Sequence, residues 1–146
     1  MVECVAIMLA EYPIVDREGK LSICGIVDTV QFVLKAGLPA DTVPGAIGIT
    51  MPISMVAILS ASIADGLQHT FGLIVRHEDG KDIVKNENAG TIVFTVNKKG
   101  RRPRANLIVE LKGMAVPAAG DYEVILLVGG KDVGRTQLYV EAKADA

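Results

Sequence analysis

Five cationic side chains fall within seven consecutive positions and form the densest chemically suggestive cluster in the sequence. They are Lys98, Lys99, Arg101, Arg102 and Arg104. Clustered Lys and Arg side chains neutralise phosphates in nucleic-acid-binding loops. However, no aromatic residue lies within the run to stack on bases, and the chain carries a net charge of −2. Gly100 and Pro103 predict a turn, where charge is readily solvated. We therefore interpret the run as a solvated turn, and we keep open a contact to an acidic protein partner and a contact to nucleic acid.

The cysteines and histidines are the other side chains suited to nucleophilic or metal chemistry. A first hairpin that turns near residues 16–19 would set Cys24 opposite Glu11, with Cys4 roughly 23 Å further along at strand rise. That separation is too long for a disulfide, so we predict two buried thiols. His69 and His77 are eight residues apart, or about 26 Å along a strand, which is too far to share one metal ion. We expect solvent-facing histidines near strand ends and no metal site.

Acidic residues surround Gly80, where Glu78, Asp79 and Asp82 offer oxygen ligands of the kind that calcium prefers. The spacing lacks the pattern of an EF-hand loop, and Lys81 would oppose a cation. We predict an ordinary Asp-Gly turn there. No serine sits in a nucleophile-elbow motif and no triad is specified. The sequence therefore favours a protein that is not an enzyme and needs no cofactor.

The composition is that of a folded domain, with 146 residues, 50% hydrophobic and 22% charged. The apolar run Cys4–Ala10 follows Glu3 rather than basic residues and precedes no small-residue cleavage site, so we expect a cytoplasmic protein without a signal peptide. Thr42–Ala64 contains no charged residue and is long enough to span a bilayer. Because Pro44 and Pro52 interrupt it, we interpret this segment as buried strands with no membrane contact.

Turn residues divide the chain into about nine short strands. The closing segment is the most explicit, since a Pro/Gly turn precedes the apolar strand Tyr122–Val128, and a Gly-rich turn leads to an alternating strand that ends near Glu141. Ile53–Ser62 fits either a strand or a helix by periodicity, and we favour a strand because strands surround it. The pattern predicts an all-β, single-domain antiparallel β-sandwich over residues 1–146, immunoglobulin-like or jelly-roll-like.

Three stretches together resemble a family of small uncharacterised bacterial β-sandwich proteins of unknown function. The first is the opening apolar strand. The second reads Gly-Lys-Leu-Ser-Ile-Cys-Gly-Ile-Val-Asp from Gly19 to Asp28 and precedes a loop that contains Pro39. The third starts at Pro117 and runs into Gly-Asp-Tyr at 120–122. The resemblance implies the sandwich fold, and it offers no activity, ligand or catalytic residue.

The strand Tyr122–Val128 is apolar on both faces, because Ile125 and Leu127 follow Glu123 on the face opposite the core. An antiparallel strand with one solvent-facing side alternates apolar and polar residues. The second apolar face of this strand must therefore be covered by another segment or another subunit. Our hypothesis is a non-catalytic protein-interaction or structural module that self-associates there, as a homo-oligomer or with a protein partner. Two alternatives stay open: a monomer in which the crossing segment Leu34–Pro52 is the cover, and a nucleic-acid-binding protein that uses Lys98–Arg104.

Overall fold

A computed structural model describes residues 2–17, 20–27, 29–34, 47–48, 53–96, 101–111, 114–116 and 119–144. Within them the chain forms strands and one 3-10 turn, Ile63–Asp65. The strands are β1 Glu3–Val15, β2 Leu21–Ile26, β3 Thr29–Leu34, β4 Ile47–Gly48, β5 Ser54–Ser60, β6 Gln68–His77, β7 Asp82–Val93, β8 Arg104–Glu110, β9 Ala115–Val116, β10 Gly120–Val128 and β11 Lys131–Ala144. No helix in this part of the chain has the length and hydropathy that a membrane crossing needs.

The strands form two main sheets that pack face to face. One sheet has the order β2-β1-β5-β8, and the other has the order β3-β11-β10-β6-β7. A small third sheet pairs β4 with β9. Every pairing is antiparallel except that of β3 with β11, which is parallel. The predicted all-β sandwich is confirmed, with nine strands in the two main sheets of the described residues.

The core lies between the inner faces of the two sheets. From β5 it receives Met55, Ala57 and Leu59, and from β10 it receives alternate residues that begin at the fully buried Tyr122. β5 lies between β1 and β8, and nearly all its residues are buried. The prediction of a strand over Ile53–Ser62 is confirmed, because a central strand buried on both faces needs a continuous apolar run.

The chain changes sheet twice at the sandwich edges. β2 ends at Ile26 and β3 begins at Thr29, and these two strands belong to different sheets. The amide of Val27 donates to the carbonyl of Leu9 in β1 at 2.8 Å. The chain then passes to the other sheet, where β3 begins at Thr29. The second crossing joins β7 to β8. The segment Leu34–Pro52, proposed above as a cover, lies outside the described residues at 35–46 and 49–52.

A wide bulge in β7 lies over one glycine of β6. Phe71 pairs with Gly90 and Leu73 with Asn86, so three residues of β7 stand opposite Gly72 alone. A Cβ atom at Gly72 would lie 2.7 Å from the backbone oxygens of Asn86 and Glu87. The backbone of the bulge therefore covers the outer face of β6, and only glycine leaves room for it.

Replacing Gly72 with Ala should lower the free energy of unfolding by about 1–3 kcal/mol, because the added methyl group must displace backbone atoms. Urea unfolding followed by circular dichroism measures this change. Thr70→Ala, at an exposed position in the same strand, is the matched control and should change stability by less than about 0.5 kcal/mol. Equal stability of the Gly72→Ala variant and the wild-type protein would contradict this position of the bulge.

Candidate functional site

The basic run connects the two sheets. Lys98 and Lys99 lie outside the described residues, whereas Arg101, Arg102 and Arg104 are exposed. A β-bridge between Thr95 and Arg104 joins the residues on either side of the run. The Thr95 amide donates to the Arg104 carbonyl at 2.9 Å, and the Arg104 amide donates to the Thr95 carbonyl at 3.1 Å. Arg102 Nη1 lies 3.9 Å from Glu3 Oε1, and both side chains are exposed. An ion pair of this length and exposure adds little stability.

The second apolar face of β10 is almost fully covered within the chain. Ile125 and Leu127 are 2% and 8% exposed and form a small cluster with Ile74 of β6, on the face away from the main core. Glu123, on the same face, accepts a hydrogen bond from Arg135 at 3.1 Å. As expected, the second apolar face of β10 is buried at Ile125 and Leu127. Because their own chain covers these side chains, they have almost no exposed area that a partner could contact.

Exposed apolar area is instead concentrated on the hairpin β1–β2. The register pairs Tyr12 with Cys24, Ile14 with Ser22, and Ala10 with Ile26, on the face away from the core. Tyr12, Ile14 and Ile26 are 56%, 60% and 72% exposed. We call Tyr12, Ile14, Ser22, Cys24 and Ile26 the hairpin patch, and none of these residues is charged.

Cys24 corrects an expectation about the thiols. The sequence predicted a buried Cys24 opposite Glu11, but Cys24 lies opposite Tyr12 and is exposed. The reason is the strand register, which differs by one residue from the predicted one. This shift places the Cys24 side chain on the outer face of the sheet instead of the inner face. Cys4 is partly buried, and both cysteines are free.

Cys4 lines an open cleft of about 840 Å³ at one end of the sandwich, together with His69, Lys131 and Asp132 among others. Burial raises the pKa of the Cys4 thiol, and its hydrogen bond to the Ala6 carbonyl opposes this only in part. The thiol is therefore protonated and is a poor nucleophile. Within the described residues, no three His, Cys, Asp or Glu side chains are arranged to hold a metal ion.

His77 is a largely buried titratable group at the end of β6. Its side chain is 12% exposed and meets the ring of Tyr122 edge-on, with the ring centroids 4.8 Å apart. Nε2 lies 3.2 Å from the Ala119 carbonyl oxygen, which only accepts, so Nε2 carries a hydrogen. Nδ1 lies 3.0 Å from the Asp79 carboxylate and 3.3 Å from the Asp79 amide.

The expectation of solvent-facing histidines is wrong for His77. The sequence did contain a signal, because His69 and His77 lie in the same alternation as Phe71 and Leu73, whose side chains face the core. The two histidines therefore end the inner row of β6. His69 likewise meets a buried ring edge-on, that of Phe94, with the ring centroids 5.4 Å apart.

The contacts of His77 suit both of its protonation states. Burial disfavours the charge, but the Ala119 carbonyl and the carboxylates of Asp79 and Glu78 outweigh it and raise the pKa of His77 above its ordinary value. In the neutral ring Nδ1 accepts from the Asp79 amide, and in the charged ring it donates to the Asp79 carboxylate. Because Nε2 donates to the Ala119 carbonyl and Nδ1 contacts Asp79, this histidine joins the 77–81 turn to the start of β10.

This arrangement predicts a pH-dependent contribution to stability. The pKa of His77 in the folded protein lies above its unfolded value of about 6.5. The contacts of the charged ring therefore stabilise the fold fully below about pH 6.5, and this stabilisation is lost as the pH rises through the folded pKa. Urea unfolding from about pH 5 to about pH 9 should show this loss in the wild-type protein and in the matched control His69→Gln. It should be absent from His77→Gln, whose amide can still donate to the Ala119 carbonyl. The same pH profile in His77→Gln and wild-type protein would refute the role of His77.

Comparison with known proteins bears on the family of the chain. Searches of curated proteins and of solved structures find no match. A protein family described as a family of unknown function, DUF6941, matches residues 5–141. This match spans nearly the whole sandwich, from β1 into β11, and agrees with the resemblance drawn from the sequence. The chain therefore belongs to the family of unknown function DUF6941.

Proposed function

We propose that the protein is a non-catalytic interaction module that forms homo-oligomers through the hairpin patch. The observation that carries this proposal is the exposure of Tyr12, Ile14 and Ile26 side by side on the outer face of the hairpin β1–β2. Contiguous exposed apolar side chains are characteristic of protein interaction sites. The site differs from the one expected from the sequence, because Ile125 and Leu127 are buried within the chain.

The outer face of the four-stranded sheet limits where a partner can bind. At its centre Ala10, Ser54 and Val56 are buried, so the exposed area lies towards β2. Tyr12, Ile14 and Ile26 present roughly 350 Å² of apolar surface together, which is somewhat under half of the roughly 800 Å² that one partner contributes to a standard interface. The backbone and side chains of β2 would supply the rest.

The protonation of the Cys4 thiol and the contacts of the His77 ring support the non-catalytic part of this proposal. The thiol of Cys4 is held protonated by burial, and the ring nitrogens of His77 contact Ala119 and Asp79. We further infer a bacterial cytoplasmic protein. A free and exposed thiol at Cys24 suits a reducing compartment, and the bacterial origin rests on the family resemblance.

The molar mass in solution tests self-association. Light scattering on a sizing column should give a dimer or larger assembly at both low and high salt, because apolar contacts are not screened. Ile26→Lys should dissociate the assembly, since it buries a charge in the contact. Ile63→Lys, at a side chain that is 66% exposed outside the patch, is the matched control and should leave the mass unchanged. A wild-type monomer at every concentration would refute the proposal.

Nucleic-acid binding is the second candidate, favoured by three exposed arginines within four positions, Arg101, Arg102 and Arg104. Fluorescence anisotropy with labelled DNA and RNA tests it. This candidate predicts binding that weakens steeply with salt and disappears when all three become Ala. The matched control removes three cations elsewhere, by changing Lys20, Lys85 and Lys131 to Ala. Binding that survives the arginine changes would exclude the basic run as its site.

A further inference from the structure

We propose that two copies of the chain pair side by side through the edge strand β2, in antiparallel orientation about a two-fold axis near Ile23. The two four-stranded sheets would then form one continuous eight-stranded sheet. This inference rests on the proposed self-association and specifies how the copies meet. The partner is thus a second copy of this chain, recognised through main-chain hydrogen bonds and uncharged side chains.

The edges of the sandwich differ in how they are protected. In the strand order of the described residues, β7 and β8 end the two sheets on one side. β7 contains the bulge over Gly72 and three charged residues, Asp82, Lys85 and Glu87, while β8 contains Arg104 and Glu110. Charges and bulges at an edge prevent pairing with other chains. This side is therefore protected.

The described strands on the opposite side differ from β7 and β8 in charge. β2 and β3 end the sheets there and follow one another in the chain, separated by two residues. The sequences of Leu21–Ile26 and Thr29–Leu34 contain no charged residue. An uncharged edge can meet its own copy without like-charge repulsion, as the symmetric interface of a two-fold dimer requires.

Pairing at β2 would cover surface on both faces of that strand. Leu21 and Ile23 on the inner face are only partly buried, and Ser22, Cys24 and Ile26 on the outer face are exposed. A neighbouring strand would cover all five side chains and would hydrogen-bond to the side of β2 that has no neighbour in the strand order of the described residues. Stacking of two outer faces would cover Tyr12 and Ile14 but would leave Leu21 and Ile23 uncovered, whereas the side-by-side arrangement covers side chains on both faces of β2.

Gly25 limits the register of this pairing. Its φ of +70° departs from extended backbone, so the regular part of β2 is Leu21–Cys24. Side chains on the same face must stand opposite one another, and this condition is met when Ile23 faces Ile23 of the second copy. Cys24 then lies diagonal to its counterpart, with about 7–8 Å between the two Cα atoms. The exposed thiol is a natural reporter of the contact.

Crosslinking of Cys24 tests the arrangement. In the Cys4→Ser variant Cys24 is the single thiol of the chain. A short bis-maleimide should link two copies, since association holds the thiols at millimolar effective concentration, and we expect at least about tenfold more linked dimer than in the control. The control moves the thiol to β6, as Cys4→Ser, Cys24→Ser, Thr70→Cys. Urea unfolding verifies that both variants are folded.

The outcomes separate this inference from the proposed function. Linked dimer in the Cys24 variant alone, together with a dimer mass by light scattering, supports pairing at β2. A dimer mass with equal and low linking in both variants overturns the β2 arrangement and leaves self-association intact. A monomer mass overturns both. Ile23→Pro adds a further measurement, because it removes an edge amide, and a folded Ile23→Pro variant that keeps the dimer mass and the linking would also overturn the arrangement.

Discussion

Burial of alternate side chains between two sheets is the constraint on which the rest of this structure depends. The central strands β5 and β10 place residues such as Met55, Tyr122 and Leu126 against one another with no exposed area. A slip of one residue in any pairing would turn such a row towards solvent, so the core holds the register of every strand. The positions of Cys24, His77 and the hairpin patch all follow from that register.

Two of the crossings between the main sheets join strands at the sandwich edges, and they make the two sides of the sandwich unequal. The crossing from β7 to β8 carries the cationic run, and its strands are charged and bulged. The crossing from β2 to β3 is short, and its strands are uncharged. The charged and bulged edge is thus protected against pairing with another strand, whereas the uncharged edge has a composition that permits such pairing. The proposed pairing of two copies at β2 rests on this asymmetry.

The two histidines of β6 make contacts at the margin of the core. His69 and His77 end the inner row of β6 and lie edge-on against Phe94 and Tyr122. His77 also binds the Ala119 carbonyl, which joins the turn before β7 to the start of β10. Such a histidine adds a pH-sensitive contact at the margin of the core, where a nonpolar residue would leave the carbonyl without its partner.

The sequence by itself determined the fold class, the strands and most of the core, because alternation and turn residues are local signals. Only the tertiary structure decided that Cys24 faces outward, that Ile125 and Leu127 are covered by their own chain, and that β3 joins the other sheet. These features depend on which strands become neighbours, and strand order is set by long-range packing that no local pattern records.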